Sequence, residues 1–160
     1  MKKIITLCSL ILFVSLLPLA GCATLPTRDQ MALDVKGYTL PQNTETGNAM
    51  VYVVRPSSLG TLIRFNVFVD NEEDSSEMGY TRGWQYIYFF VTPGEHTIYS
   101  KAENWAEITI DAKAGDIIFL KQDPEMGFII ARNILELIPD VEGKYCVKHS
   151  SLGTVIRVQK

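Results

Sequence analysis

The side chains here that could act as nucleophile, base or metal ligand are three cysteines and two histidines, Cys8, Cys22, Cys146, His96 and His149. Cys146 and His149 stand three apart, so a helix would place them on one face. A thiolate–imidazole dyad needs that proximity and also an orienting third group, which the sequence does not supply. Zinc would lack ligands, because His96 is the only other histidine. Five carboxylates, Asp70, Glu72, Glu73, Asp74 and Glu77, crowd one stretch. Calcium takes several such oxygens, but an EF-hand fails where Ser75 and Thr81 stand in place of its glycine and closing glutamate. The stretch reads as a solvated, self-repelling loop. No G-x-S-x-G, H-E-x-x-H, C-x-x-C or phosphate-loop pattern occurs. The chain therefore reads as no enzyme, with no catalytic residue, metal or cofactor to assign. What stays open is an aromatic row, Trp84, Tyr86, Tyr88 and Phe90, alternating with Gln85, Ile87, Phe89 and Val91. Core packing is one reading of that row. The other is a strip, led by Trp84, Tyr86 and Tyr88, that binds a glycan or a protein.

Cys22 has the clearest chemistry. Lys2 and Lys3 precede a nearly unbroken apolar run over 4–17, too short to span a bilayer but suited to a secretion signal. Pro18 breaks it, and Leu19-Ala20-Gly21-Cys22 follows. Small Ala20 and Gly21 suit a peptidase cleft, and the Cys22 thiol can take a diacylglyceryl group. These four residues resemble the lipobox of bacterial lipoproteins at every position. By that resemblance residues 1–21 are a signal peptide, Cys22 becomes the acylated (palmitate-type) first residue, and Ala23, not being Asp, favours sorting to the outer membrane, facing the periplasm. Several buried acyl chains anchor stably where one does not.

Removing 1–21 leaves 139 residues, enough for one domain with a core, and moves the net charge from −3 to −5. So acidic a domain is a poor candidate for nucleic acid or for anionic headgroups. Cys146 remains without a disulfide partner, and its neighbours Tyr145 and Val147 suit a buried thiol.

Residues 22–48 show neither helical nor strand period and read as a flexible tether, able to hold the domain about 30 Å from the headgroups. A helical turn over 31–35 is conceivable there, but no residue marks a helix end. From 49 to 160 the pattern is strand after strand: 49–55, 64–70, 78–81, 84–91, 96–101, 105–112 and 116–122, then two apolar stretches in 128–138 around Arg132-Asn133. The expectation is an all-β fold, a single antiparallel β-sandwich. Residues 140–149 read as one short C-terminal helix, against which Gly143 counts. One octapeptide recurs: Ser57-Ser58-Leu59-Gly60-Thr61-Leu62-Ile63-Arg64 returns as Ser150-Ser151-Leu152-Gly153-Thr154-Val155-Ile156-Arg157. Two loops using the same turn residues, or a pseudo-symmetric pair of strands, would both produce it.

The series Val67-Phe68-Val69-Asp70, Met78-Gly79, Val91-Thr92-Pro93-Gly94-Glu95-His96-Thr97-Ile98 and Ala114-Gly115-Asp116-Ile117-Ile118-Phe119 resembles the PEGA type of β-domain, itself Ig-like. The stretch 49–143, opening on a strand that ends Arg55-Pro56, is similar to an uncharacterised family of bacterial lipoproteins. The longer acidic tip at 71–77 departs from that pattern. With the lipobox and no catalytic motif, the chain reads as a lipid-anchored envelope lipoprotein, a non-enzymatic binding or assembly module facing the periplasm; the resemblance itself speaks to the fold. The expected partners are the membrane, through the anchor, and an envelope protein or cell-wall glycan. A peptidoglycan-binding lipoprotein, or a hydrolase without a recognisable motif, are the alternatives.

Overall fold

The computed structural model describes residues 25–42, 45, 47–126 and 131–159. The signal, Cys22 and the segment 127–130 lie outside these residues.

The expected β-sandwich is the architecture found. The strands are β1 (Ala49–Arg55), β2 (Phe65–Val69), β3 (Glu77–Thr81), β4 (Gln85–Val91), β5 (Gly94–Lys101), β6 (Trp105–Ala112), β7 (Ile117–Met126), β8 (Ala131–Ile138), β9 (Ser151–Leu152) and β10 (Thr154–Val155). One sheet has the order β8-β7-β1-β4-β9 and the other β10-β3-β2-β5-β6. Most neighbours are antiparallel, but β1 runs parallel to β7, and β4 to β9. Among the described residues two α-helices, α1 (Arg28–Asp34) and α2 (Asp140–Lys148), and a 3-10 turn at Asp74–Ser76 accompany the strands.

β1 is buried at every position because it sits in mid-sheet with both faces covered. Ala49, Val51 and Val53 point into the core between the sheets, with Ile87, Phe89, Val67, Met78 and Ile98. Met50, Tyr52 and Val54 point outward into a second core, shared with Tyr86, Phe90, Phe119, Cys146 and Val147 under α2. Two-faced apolar strands at the centre thus follow from a helix lying on the outer face of the first sheet.

Gly143, which counted against a helix, is what lets α2 lie there: a Cβ at that position would collide with the Phe119 ring. The two stretches expected over 128–138 resolve differently. Arg132 and Asn133 lie inside β8 and pair with Glu125 and Pro124 of a longer β7. Asn133 is no turn residue. Its buried amide donates to Ser100 O, and its backbone N–H donates to Asn104 Oδ1.

The core is closed at one end by a polar layer. Thr81 Oγ1 donates to Gln122 Oε1 at 2.5 Å, and Gln122 Nε2 donates to Ser100 Oγ at 2.8 Å, tying both sheets together. Beside it Arg55, fully buried, donates to the carbonyls of Ile63 (2.7 Å), Leu59 (2.8 Å) and Gly60 (2.9 Å), with its guanidinium 3.7 Å over the Phe65 ring.

The reading of 22–48 as a plain tether needs correcting. Residues 28–34 are helical, and Met31 is buried. Thr27 starts the helix with a capping box, its hydroxyl accepting from Gln30 N while the Gln30 side chain accepts from Thr27 N. The other end is fastened to α2: Asp34 Oδ2 accepts from His149 Nε2 at 2.8 Å and from Lys148 Nζ at 3.0 Å.

Candidate functional site

The aromatic row divides when folded. Trp84 does not belong to β4. It precedes the strand at φ 55°, a left-handed conformation that a bulky side chain adopts only when its surroundings impose it. Trp84 is 40% exposed. Tyr86, 8% exposed, is packed 6.0 Å from Tyr52 beneath the helices, and burial pushes its phenol pKa upward. Tyr88 is half-buried, 6.1 Å from Tyr52. Phe90 is in the outer core. The row is therefore no continuous strip: Trp84 and Tyr88 reach solvent, while Tyr86 and Phe90 do not.

What holds Trp84 in place is the repeated octapeptide, approaching from two sides. Trp84 N donates to Arg55 O, and Gly83 N donates to Thr61 O in the first copy. Gly83 is needed because a Cβ there would meet Ser57 O and Thr61 Oγ1 at 2.7 Å. From the other side Ser151 N donates to Trp84 O at 3.0 Å, and Gly153 N to Tyr86 O at 2.7 Å. The two copies are not paired strands. The first forms no strand, whereas the second enters the first sheet at 151–152 and the second sheet at 154–155. Each presents leucine to solvent, Leu59 and Leu62 from the first and Leu152 from the second, with Leu62 86% exposed. Arg64 and Arg82 lie over the ring of Tyr80 at 5.0 and 5.3 Å. The β3–β4 turn is thus the centre of an apolar surface with two cations at its margin. The repeat was the sequence signal for it, but repetition does not say which leucines face outward.

The groups with reactive chemistry are each engaged elsewhere. Cys146 is 1% exposed, and burial pushes its thiol up to about 12, which removes the thiolate a dyad would need. His149 turns away from it, toward Asp34 and the ring of Tyr145 at 4.4 Å. His96 spans the opposite end of the sandwich, Nδ1 at 3.0 Å from Asp70 Oδ1 and Nε2 at 2.9 Å from Thr92 O. In the acidic tip Asn66 Nδ2 donates to Glu77, and Arg157 donates to the carbonyls of Asp74 and Glu77. Sequence reasoning missed the open groove between the helices, about 560 Å³, lined by Leu25, Gln30, Asp34, Tyr145 and His149 among others. Its signal was the Thr27–Gln30 spacing.

Among the described residues no helix is long and apolar enough to cross a membrane. The chain is similar to an uncharacterised protein of Haemophilus influenzae, 27% identical over 138 residues that cover 84% of this chain and 77% of that protein. A family model described as a protein of unknown function (DUF2846) matches residues 45–133, more than half of the chain and all the strands from β1 to β7, and the chain belongs to that family.

Proposed function

We propose that this protein is a lipid-anchored envelope component, sorted to the outer membrane, that acts as a non-enzymatic binding or assembly module facing the periplasm. The observation that carries the reading is Leu19-Ala20-Gly21-Cys22 placed directly after an apolar run behind two lysines. The fold adds support. The domain begins almost at the anchor: five residues lie between Cys22 and Arg28, a reach of about 20 Å at full extension. A binding role is favoured over catalysis because Cys146, His96 and His149 are buried or held by partners, while Trp84 is presented on a turn, 40% exposed. A sugar-binding variant of this reading, directed at the cell wall, draws on the exposed Trp84 and the half-buried Tyr88.

The test is mass spectrometry of the protein from native membranes. Acylated Cys22 at the N-terminus is the expected result, and Cys22→Ser is expected to keep the precursor mass and lose anchoring. A Cys22→Ser product at the mature mass, still in the outer membrane, would overturn the anchor. Crosslinking in intact envelopes then separates the roles: a discrete protein partner supports assembly, and muropeptides support wall binding.

A further inference from the structure

We infer that the end of the sandwich around the β3–β4 turn rests on the bilayer surface beside the anchor. Trp84, Leu59, Leu62 and Leu152 enter the headgroup layer, and Arg64 and Arg82 meet lipid phosphates. The inference rests on the anchor at Cys22 proposed above and goes beyond it, since an anchor alone leaves the domain free to tumble.

The first argument is where the chain leaves the domain. Leu25 lines the groove together with Tyr145, in the last turn of α2, and His149, its C-cap. Cys22 is three residues earlier, a reach of about 10 Å. His149 is also where the chain turns into the second octapeptide: two residues on, Ser151 N bonds to Trp84 O. Leu25, three residues from the anchor, and the turn therefore lie at the same end of α2, and the capped, docked α1 keeps Leu25 there. A bilayer holding the acyl chains of Cys22 is at high effective concentration for any apolar group at that end.

The second argument is composition. Tryptophan favours the level of the headgroups, where its ring is apolar and its N–H can reach water or phosphate. Leucines beside it bury their side chains in the acyl boundary, and arginines at the margin find phosphate oxygens. The net charge of the domain is acidic, yet among the described residues Arg64 and Arg82 engage the neutral Tyr80 side chain rather than a carboxylate. Of the carboxylates at the same end, Asp123 and Glu136 sit on the β7–β8 side and are held by Lys121 at 3.0 and 2.5 Å, while Glu103 stands in the β5–β6 turn and Glu125 near the end of β7. The third argument is the left-handed backbone at Trp84, which projects the ring outward from between two loops rather than into either core.

The experiment uses the mature, acylated protein in vesicles of phosphatidylethanolamine and phosphatidylglycerol. Trp105→Phe leaves Trp84 as the sole tryptophan, and phenylalanine keeps the aromatic contact with Phe68. Trp84 emission is expected to shift to shorter wavelength relative to detergent-free buffer and to lose at least half its intensity to lipids brominated near the headgroup. Leu62→Asp, at a position facing solvent, is expected to restore most of that intensity without changing acylation or melting temperature. Amide exchange in the otherwise unaltered protein gives a second reading: residues 58–62 and 82–84 should slow on vesicles. Acylated protein whose Trp84 stays unquenched, or quenching that Leu62→Asp leaves intact, overturns the docking and leaves the anchor standing. Protein whose Cys22 carries no lipid overturns both.

Discussion

Arg55 shows how far one residue's role can depart from its type. A cation that ends a strand before proline would ordinarily be placed in water. Here it is fully buried, and three carbonyls of the first octapeptide supply what water would have. Burial pulls its pKa down to about 10, and no carboxylate among the described residues compensates it. Its planar fork matches carbonyls arranged around it, and the ammonium of lysine, a point charge, does not. Arg55→Lys is expected to cost about 2 to 4 kcal/mol, since carbonyls at Leu59, Gly60 and Ile63 lose their donor. Urea denaturation measures this, and an unchanged midpoint would mean that the loop is held by something else. The tyrosines of β4 allow a second comparison. Tyr86→Ala opens a void in the outer core and is expected to cost about 3 kcal/mol. Tyr88→Ala, at a half-buried site, should cost about 1 kcal/mol. Equal losses at both would show that Tyr88 is as much a core residue as Tyr86. Little of this was legible in the sequence: alternation predicted which residues share a face of β4, but not that Tyr86 and Phe90 would be buried in the outer core while Tyr88 between them stays half-buried.

Among elements, strands and helices differed in how openly the sequence declared them. β1 and β6 have the bounds expected from their β-branched and aromatic runs, and β4 differs only in losing Trp84 to the turn. Strand residues announce themselves because each packs on a continuous core and so repeats a local pattern. α1 could not do so. It is seven residues long with Met31 as its buried residue, too short for a period, and its position is fixed by contacts more than a hundred residues away in sequence. Those contacts make the docking of α1 sensitive to acid. The hydrogen bond from His149 and then that from Lys148 hold the Asp34 carboxyl below its ordinary value of 3.8, outweighing a small opposing effect of desolvation. A carboxylate lowered in the folded state adds stability above its unfolded pKa and loses it as pH falls through the folded one. α1 should therefore stay docked near neutral pH and loosen progressively below about pH 4. Amide exchange at Met31 and Val35 measures this, and Asp34→Asn should leave α1 loose at every pH. Exchange in the parent protein that does not change between pH 5 and pH 3 would show that packing of Met31 alone holds the helix.

Across the whole molecule, the segment 150–159 joins the two sheets. It pairs with β4 through Ser151 and Leu152, crosses at Gly153, pairs with β3 through Thr154 and Val155, and returns to β4 where Phe90 N donates to Val158 O. The crossing is tight. Gly79 lies against Thr154 O, with its φ of 154° in the region that favours glycine, so a Cβ there would collide with the backbone of β10. Gly79→Ala is expected to lift residues 154–157 from β3 at a cost of about 1 to 3 kcal/mol. The variant should also self-associate, which light scattering would detect. A monomer of unchanged melting temperature would show that the crossing can relax.

That seam also limits how the protein can be recognised. Many β-domains capture a partner by letting an extended peptide join the sheet as one more strand, or are lost to aggregation by the same route. Here the edges of β3 and β4 beside the Trp84 turn are already occupied by the chain's own 151–158 segment, so no row of free peptide groups is offered at that end. Recognition at that turn is left to side chains. Backbone templating tolerates almost any sequence in the guest, whereas a surface of leucine, tryptophan and arginine can be retuned one residue at a time. The framework beneath stays fixed, and related chains sharing it are free to diverge in what they touch.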